Sequence, residues 1–378
     1  MTRTGAALPT VGMVGGGQLA RMTHQAAIAL GLSLRVLAER RDDSAALVCP
    51  GVEIGAPDDL IAVSGFAKTC DVLTFDHEHV PPSLLEALER DGVVTRPSSS
   101  ALLYAQDKLA QRRMLSSLGL PVPAFAPVSS VEDVARFGDE HGWPVVVKAV
   151  RGGYDGRGVW MYDAPPPSLP GPEVYVEQRV RLVHELAVQV ARRPSGEMRA
   201  WPVVETVQSD GICVEVIAPA QRLSPALASD AERIATTIAR ELDVVGALAV
   251  ELFEAPGGLL VNELAMRPHN SGHWSIDGAR TSQFEQHLRA VLDWPLGDPA
   301  PIAPVTVMAN LLGGESTDLA TTLPRVLGEL PDVSVHLYGK LARPGRKLGH
   351  VTVIGSDVGA VRERARRAVT ILRGDEPA

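Results

Sequence analysis

The segment Arg151–Trp160 (RGGYDGRGVW) constrains the fold most, because it places four glycines within seven residues. Glycine at that density would destabilise a helix or a packed strand. An apolar run that ends in Lys148 precedes the segment, and the strand-like sequence VWMYD follows it. A glycine-rich loop between antiparallel strands can close over a triphosphate while the lysine neutralises phosphate oxygens. A flexible surface hairpin with an extended lysine is an equally good interpretation of this segment alone.

Length and composition limit the possible functions. A chain of 378 residues is too long for one compact core, so we predict two or three domains. Its content of 45% hydrophobic and 21% charged residues is typical of a soluble globular protein, and its net charge of −9 disfavours a general nucleic-acid or membrane-surface binder. The three separated cysteines indicate neither a disulfide framework nor a structural zinc site. We therefore predict a cytoplasmic enzyme without a nucleic-acid or membrane partner.

The secondary-structure pattern changes along the chain. Strands alternate with helical stretches up to about Arg96, which predicts a parallel sheet with right-handed crossovers. A loop and one helix that stops near Gly119 follow. Strand-like runs joined by turns then indicate antiparallel sheet, and SDAE resembles a capping box that begins a helix at Ser229–Leu242. Beyond Pro295, a proline-rich connector leads into a small terminal unit.

The N-terminal glycine cluster, GGGQLA, has the spacing of a dinucleotide-binding fingerprint at Gly15, Gly17 and Ala20. It lies between a predicted strand and a predicted helix, and Glu39 follows where an acid that binds ribose would stand. This pattern supports an NAD(P)-dependent oxidoreductase. It is not specific, because any parallel sheet that binds a phosphate at its first strand–helix turn favours glycine there.

The segment ALAVELFEAPGGLLVNELA predicts a β-hairpin. If its turn is centred on Gly257, Glu251 and Glu263 lie directly opposite each other on one face, about 5 Å apart. Two carboxylates at that distance repel unless one is protonated or a cation lies between them. Magnesium suits this arrangement, because it takes a few carboxylates together with substrate phosphates. We favour a metal site over a solvated hairpin edge, since apolar residues flank both glutamates.

Two polar loops follow. In RPHNSGHW, the side chains of Arg267, His269, Asn270 and His273 lie next to the predicted metal pair, which predicts a site for a small anion. The alternative is that His269 is only a structural hydrogen-bonding residue. The segment ARPGRKLGH gathers Arg343, Arg346 and Lys347 in one turn-rich part of an acidic chain, which indicates either a phosphate clamp or a solvated basic loop.

These features together resemble the ATP-grasp superfamily. More narrowly, GGGQLARM, GGYDGRG, NELAMRPHNSGHW and RPGRKLGH, in order between about residues 10 and 370, are similar to the signatures of the 5-(carboxyamino)imidazole ribonucleotide synthase family. The resemblance implies a multidomain α/β and α+β protein with an ATP-grasp fold, and a homodimer. The implied domains are a Rossmann-like parallel-sheet domain (1–106), a linker helix with an antiparallel-sheet lid (107–184), a central domain with the metal site (185–300) and a small C-terminal domain (301–378).

The activity implied by this resemblance is the ATP-dependent carboxylation of 5-aminoimidazole ribonucleotide in purine biosynthesis. ATP and Mg²⁺ would convert bicarbonate to carboxyphosphate, and the amine of the ribonucleotide would then be carboxylated. Two alternatives stay open: a related ATP-grasp enzyme that uses formate on glycinamide ribonucleotide, and the NAD(P)-dependent oxidoreductase. A binding protein without turnover is disfavoured, because paired carboxylates beside a triphosphate lid have little purpose without phosphoryl transfer.

The family motifs also imply roles for individual residues. The implied ATP contacts are Lys108, Lys148, Gly153, Tyr154, Asp155, Gly156, Arg157, Gly158, Val159, Glu177, Gln178, Arg179, Val180, Glu185, Gln208, Asn262 and Glu263. The metal ligands are Glu251 and Glu263. The ribonucleotide contacts are Gln18, Glu78, Tyr154, Asp155, Arg157, Arg346 and Lys347. The catalytic residues are Asp155, Arg267, His269, Asn270 and Lys347, with Asp155 or His269 as the proton acceptor.

The chain departs from the family pattern at two places. Gln208 stands where the family often has a histidine in the nucleotide site, and Asp76–His79 is DHEH where EFEN is usual.

Overall fold

The computed structural model describes residues 8–153, 157–315 and 317–375. The N-terminal sheet is parallel, with strand order β3-β2-β1-β4. Helices separate β1 from β2 and β3 from β4, and only turns join β2 to β3, so the predicted α/β pattern with a parallel sheet is confirmed. The elements are β1 (Thr10–Val14), α1 (Gln18–Ala29), β2 (Ser33–Ala38), β3 (Gly51–Ile54), α2 (Leu60–Ala67), β4 (Val72–Phe75) and α3 (Pro82–Arg90).

The stretch after this sheet contains two helices, α4 (Ser99–Gln106) and α5 (Lys108–Ser117), so the prediction of one helix is wrong. Asp107 separates them because its backbone is extended, with φ of −119° and ψ of 100°. Its side chain accepts a hydrogen bond from the Ala110 N–H and so caps α5. Lys108 is consequently the first residue of α5.

The second sheet is antiparallel, with strand order β5-β8-β6-β7. The segment that contains the glycine-rich loop joins two neighbouring strands, β6 and β7, as predicted, and Lys148 pairs with Val159 at its base. Helix α6 covers one face through Val134 and Phe137. The elements are β5 (Phe125–Val128), α6 (Val131–His141), β6 (Val145–Ala149), β7 (Val159–Tyr162) and β8 (Val174–Gln178).

The third sheet is antiparallel and has nine strands, in the order β14-β13-β9-β11-β12-β15-β17-β16 with β10 on the side of β9. It continues across the β12–β15 pair into the C-terminal unit, so the boundary predicted near residue 300 lies within one sheet and stays a prediction. Its strands are β9 (His184–Arg192), β10 (Met198–Ala200), β11 (Val204–Ser209), β12 (Ile212–Ala218), β13 (Gly246–Ala255), β14 (Gly258–Ala265), β15 (Val305–Leu312), β16 (Ser334–Leu337) and β17 (Lys347–Gly355). The helices around it are α7 (Pro225–Glu241), α8 (Ser275–Gly278), α9 (Gln283–Val291), α10 (Leu319–Glu329) and α11 (Val358–Arg373).

Helix α7 begins four residues before the predicted start at Ser229, so that prediction is wrong. Ser224 caps it by accepting a hydrogen bond from the Leu227 N–H, and Pro225 takes the first helical position. Serine followed by proline is a strong signal for a helix start. The serine side chain accepts a hydrogen bond from a free backbone N–H, and proline has the helical φ and no N–H that needs an acceptor. Ser229 lies within the helix and is exposed.

Helix α9 joins the N-terminal sheet to the third sheet. Its Phe284 and Leu288 pack in one apolar cluster with Met13 of β1. The buried His287 lies between the two sheets: its Nδ1 accepts the Ala247 N–H at 3.0 Å, and its Nε2 lies 2.8 Å from the Thr74 hydroxyl. These contacts hold the N-terminal glycine turn at a fixed place relative to β13. Nowhere in the described chain is a helix both long and apolar enough to span a bilayer.

Candidate active site

A cavity of about 2050 Å³ is lined by residues that follow β1 and β4 of the N-terminal sheet and by residues of the second and third sheets. It is larger than most pockets for one small molecule, which measure roughly 300–1,000 Å³, so it has room for two substrates. Every residue that the family motifs assign to the site, and that the structure describes, lines this cavity with the exception of Gly158. His273, which the sequence also placed at the anion site, is fully buried and does not line it. Tyr154, Asp155 and Gly156 lie outside the described residues.

The two predicted metal ligands face each other. Strands β13 and β14 pair with Glu251 opposite Glu263, as predicted. The predicted turn centre is wrong, because the turn is centred between Pro256 and Gly257, a register that would put Asn262 opposite Glu251. A β-bulge directly after Glu251 shifts the pairing by one residue and restores the carboxylate pair.

The charge at this hairpin suits a divalent cation. Burial, together with the nearby Glu263 and Glu185 carboxylates, raises the pKa of Glu251 to about 7. Lys108 Nζ lies 2.9 Å from a Glu263 oxygen and neutralises part of this charge. The described residues contain no group of three or more His, Cys, Asp or Glu side chains arranged around a metal. Two carboxylates completed by phosphate oxygens and water are nevertheless the set that Mg²⁺ ordinarily takes in a nucleotide site.

The base of the glycine-rich loop lies beside the same lysine. A Cβ built on Gly153 would lie 2.8 Å from the Arg157 carbonyl oxygen and 3.8 Å from Lys108 Nζ. Gly158 has a φ of +72°, which residues other than glycine rarely adopt. The glycines here are therefore required by a close approach and by the backbone conformation.

Lys148 belongs to a buried ion cluster. Its Nζ lies 2.7 Å from one Glu177 oxygen, and the guanidinium of Arg112 binds the other oxygen. Arg112 also donates to the Asn262 carbonyl at 2.6 Å, and the Tyr175 hydroxyl donates to Glu177 at 3.1 Å. Burial opposes ionisation of Glu177, but Lys148 and Arg112 outweigh it and lower its pKa to about 2. The side chain of Glu177 is therefore already engaged, and any contact of this residue with the adenine base is left to its backbone.

The segment after β8 also lines the cavity. Gln178 and Arg179 are exposed and Val180 is half-buried, all at the cavity surface. Further along, burial raises the pKa of Glu185, an effect that the neighbouring Gln208 amide partly offsets. Gln208 thus takes a defined place in the nucleotide end although the family often has histidine there.

The polar loop after β14 contacts Glu78, a residue that the family motifs assign to the ribonucleotide. Arg267 Nε lies 2.9 Å from a Glu78 oxygen, although the two residues are 189 positions apart. Asn270 is only 9% exposed, and its amide lies near the Cys213 thiol. Among the described residues, neither polar atom of this amide has a hydrogen-bond partner of ordinary geometry. Buried polar atoms without partners in a cavity wall indicate a ligand.

His269 has a defined protonation state. The Ser271 N–H donates to its Nδ1 at 3.3 Å, so Nδ1 is an acceptor and the proton of the neutral ring is on Nε2. This Nε2 lies 3.4 Å from a Glu251 oxygen. Burial, followed by the charges of Arg267 and Lys347, lowers the pKa of His269 to about 3, so the ring stays neutral near pH 7.

The cavity ends at the N-terminal glycine turn. The Gln18 side chain accepts a hydrogen bond from Lys340 Nζ at 2.6 Å, and burial lowers the pKa of this lysine to about 8. The predicted basic residues lie beside it: Arg346 is exposed and donates to the Leu341 carbonyl at 3.2 Å, while Lys347 begins β17.

The start of α1 is closed by a carboxylate of the chain itself. Asp76 accepts the N–H groups of Gly17 at 2.6 Å and Ala20 at 2.8 Å. In a dinucleotide-binding domain, the pyrophosphate occupies this helix terminus. Asp76 therefore removes the phosphate site on which the oxidoreductase hypothesis depends.

Comparison with protein families divides the chain into three matches. A ribonucleotide synthetase pre-ATP-grasp domain matches residues 8–106, an ATP-grasp domain matches 113–284, and a phosphoribosylaminoimidazole carboxylase C-terminal domain matches 306–364. The N5-carboxyaminoimidazole ribonucleotide synthase of Mycobacterium tuberculosis is 57% identical over 372 residues, which cover 95% of this chain and 87% of that protein. The chain belongs to the N5-carboxyaminoimidazole ribonucleotide synthase family.

Solved structures of this family share the fold. The carboxyaminoimidazole ribonucleotide synthase of Aspergillus clavatus complexed with ATP is 32% identical, has a TM-score of 0.89 and covers 97% of this chain and 99% of its own. The complex of the Aspergillus clavatus enzyme with ADP and 5-aminoimidazole ribonucleotide has a TM-score of 0.88 and 32% identity, and covers 96% and 98% of the two chains. The predicted family and ATP-grasp fold are confirmed, and the protein is an ATP-grasp ligase. The oxidoreductase hypothesis is wrong.

Sequence analysis missed three residues that shape this site. Arg112 looked like an ordinary helical arginine, although it shares a helix face with the buried Leu115. Lys340 lies just before the basic segment that was singled out, and its place beside Gln18 follows only from the fold. Gln283 lies beneath the polar loop and carries no local signal in the sequence.

Proposed function

We propose that the protein carboxylates 5-aminoimidazole ribonucleotide with bicarbonate and ATP, giving N5-carboxyaminoimidazole ribonucleotide, ADP and phosphate in purine biosynthesis. One observation carries the proposal: a single wall of the large cavity places the carboxylate pair Glu251 and Glu263 beside Arg267, His269 and Asn270. A site for a metal–triphosphate thus adjoins a site for a small anion. The family relatives solved with ATP and with the ribonucleotide support the same assignment.

The nucleotide end neutralises and encloses the triphosphate. Lys108 and Lys148 supply positive charge at the base of the glycine-rich loop, and Glu185 lies where a ribose hydroxyl would be bound. Glu251 and Glu263 would hold Mg²⁺, which when bound would offset charge on the phosphate oxygens. The loop excludes water from a carboxyphosphate intermediate that water would hydrolyse.

The anion end supplies donors and no nucleophile. Arg267 and Asn270 line the cavity, the buried amide of Asn270 has unused hydrogen-bonding capacity, and His269 has a neutral imidazole. Bicarbonate has oxygens that accept such donors. Positioning and charge neutralisation therefore carry the phosphoryl transfer.

The ribonucleotide would be held by Gln18, Glu78, Arg157, Arg346 and Lys347, all of which line the cavity. Tyr154 and Asp155, which lie outside the described residues, complete this proposed set. His269 carries its proton on the nitrogen that faces Glu251, so in this state the ring donates there and does not accept. This favours Asp155 as the acceptor of the amine proton.

The wider organisation belongs to the same proposal. We propose four units with boundaries at residues 106, 184 and 300, assembled as a cytoplasmic homodimer without nucleic-acid or membrane partners. The third sheet is continuous from the unit at 185–300 into the unit at 301–378.

Phosphate release, measured with each carbon source, tests the function. ATP should be hydrolysed rapidly only when 5-aminoimidazole ribonucleotide and bicarbonate are both present, with one carboxylated product per phosphate. Formate with glycinamide ribonucleotide should give no release above background. Faster release with formate would establish the formyl-transfer alternative instead.

A further inference from the structure

The buried side chain of Gln283, the first residue of α9, binds both backbone groups of His269. The His269 N–H donates to Gln283 Oε1 at 2.9 Å, and Gln283 Nε2 donates to the His269 carbonyl at 2.8 Å. Gln283 is fully buried, with an exposed fraction of 0%. The two bonds fix the amide orientation without ambiguity, because a backbone N–H only donates and a carbonyl only accepts.

Further contacts tie the rest of the loop to the same residue. The second amide proton of Gln283 goes to His273 Nδ1 at 2.9 Å, and the Gln283 N–H donates to the Ser275 hydroxyl at 2.9 Å. The Ser275 hydroxyl in turn donates to the Gly272 carbonyl at 2.6 Å. A Cβ on Gly272 would lie only 2.3 Å from Gln283 Oε1, so glycine is required there by the approach of the glutamine.

The same helix contains an equivalent interaction away from the site. Gln286 Nε2 donates to the Gly297 carbonyl at 2.9 Å, and its Oε1 accepts the Gly297 N–H at 2.7 Å. Gln286 is also 0% exposed. Two buried glutamines one turn apart therefore make the same pair of backbone bonds, but only Gln283 holds a residue that lines the cavity.

We propose that Gln283 is a positioning residue for the bicarbonate site, a role that rests on the proposed function. It fixes the backbone of His269, so that the imidazole Nε2 stays 3.4 Å from Glu251 and the next residue, Asn270, keeps its place in the cavity wall. Gln283 does not touch the cavity, so it acts only through these two residues. A displacement of donors by about 1 Å can cost roughly a hundredfold in rate.

Gln283→Met and Gln286→Met form a matched pair, because each keeps side-chain volume and removes one pair of backbone bonds. Both variants should lower the melting temperature to a similar extent. Gln283→Met should raise KM for bicarbonate at least about tenfold and lower kcat, while KM for ATP stays within roughly twofold. Gln286→Met should leave all three kinetic values within roughly twofold of the wild type.

A purely structural role for Gln283 predicts the opposite result: equal kinetics for the two variants, or a uniform loss in which KM for ATP rises with KM for bicarbonate. Should Gln283→Met not fold, Gln283→Glu retains the side-chain shape and the acceptor for the His269 N–H, and it must show the same selective rise in KM for bicarbonate; a wild-type value there overturns the proposal. Wild-type phosphate release that does not depend on bicarbonate would instead refute the proposed function, and the inference with it.

Discussion

Two lysine–glutamate pairs lie on the same cavity and differ in how they are held. In the first pair, Lys148 and Glu177 are 2.7 Å apart, Arg112 joins them, and only 3% of the Glu177 side chain is exposed. In the second pair, Lys108 and Glu263 are 2.9 Å apart, and 38% of the Glu263 side chain is exposed. The sequence analysis placed all four residues in the ATP site, but the surroundings of their side chains separate them.

The two pairs differ in whether the glutamate can release its lysine. Glu177 has two cations and a Tyr175 hydroxyl on a pair of buried oxygens, so release of either cation would leave an uncompensated charge. Glu263 faces Glu251 and keeps an exposed side toward the cavity. We infer that the buried pair maintains the fold of the nucleotide site, while the exposed pair gives up its lysine when nucleotide and metal enter.

The largest effect should come from Glu177→Gln. Loss of this carboxylate leaves Lys148 and Arg112 as buried charges without an anion, so the free energy of unfolding should fall by about 3–5 kcal/mol. Urea unfolding at pH 7 measures it, with Glu205→Gln, on the half-buried part of β11, as a control that should change little. A loss below about 1 kcal/mol would show that the pair is not needed for the fold.

Acid should weaken the same pair. The pKa of Glu177 is about 2 in the folded protein and near 4.5 when unpaired, so its contribution to stability is complete above pH 4.5 and is lost as the pH falls toward 2. The difference of about 2.5 pH units corresponds to about 3 kcal/mol. Between these pH values the wild type should take up one more proton on unfolding than Glu177→Gln does. Identical pH dependence of unfolding in the two proteins would contradict the assignment.

Glu263→Gln should affect turnover and spare the fold. Magnesium-dependent turnover should fall at least about a hundredfold, the scale for loss of a positioned charge stabiliser. The free energy of unfolding should stay within about 1 kcal/mol, because removal of one of two facing carboxylates relieves repulsion in the metal-free protein. Steady-state kinetics across magnesium concentrations and urea unfolding measure the two effects. Unchanged turnover with an unchanged magnesium optimum would show that the carboxylate pair is purely structural.

Lys108→Met should give the smallest change. Loss of one charged contact to phosphate should raise KM for ATP roughly tenfold, since a hydrogen bond to a charged group contributes about 1.5–3 kcal/mol. Stability should hardly change, because the Glu263 partner is partly exposed. The exposed neighbour Arg113→Met is the control for helix α5. Equal KM values for the two variants would remove Lys108 from the nucleotide site.

The sequence predicted the fold class, the glycine-rich loop and the carboxylate hairpin, because strand alternation, glycine-rich turns and the hairpin are local patterns. The roles of the other cavity residues were implied only by the resemblance to a known family. The sequence analysis placed Glu251 opposite Glu263, but the predicted turn centre was wrong. The pairing depends on a β-bulge that no residue pattern predicted. Ion pairs such as Glu78–Arg267 join positions 189 residues apart, and no local period encodes such a contact. The partners that decide a residue's role, such as Arg112 for Glu177, become visible only when the elements are packed together.

Calorimetric titration of ATP with and without Mg²⁺, into the wild type and Glu263→Gln, tests the division between the two pairs most directly. The wild type should bind ATP more tightly when Mg²⁺ is present, and Glu263→Gln should lose that gain while its affinity for metal-free ATP stays within roughly threefold, or about 0.7 kcal/mol. An equal gain from Mg²⁺ in both proteins would contradict the account, because the exposed carboxylate would then have no part in holding the metal.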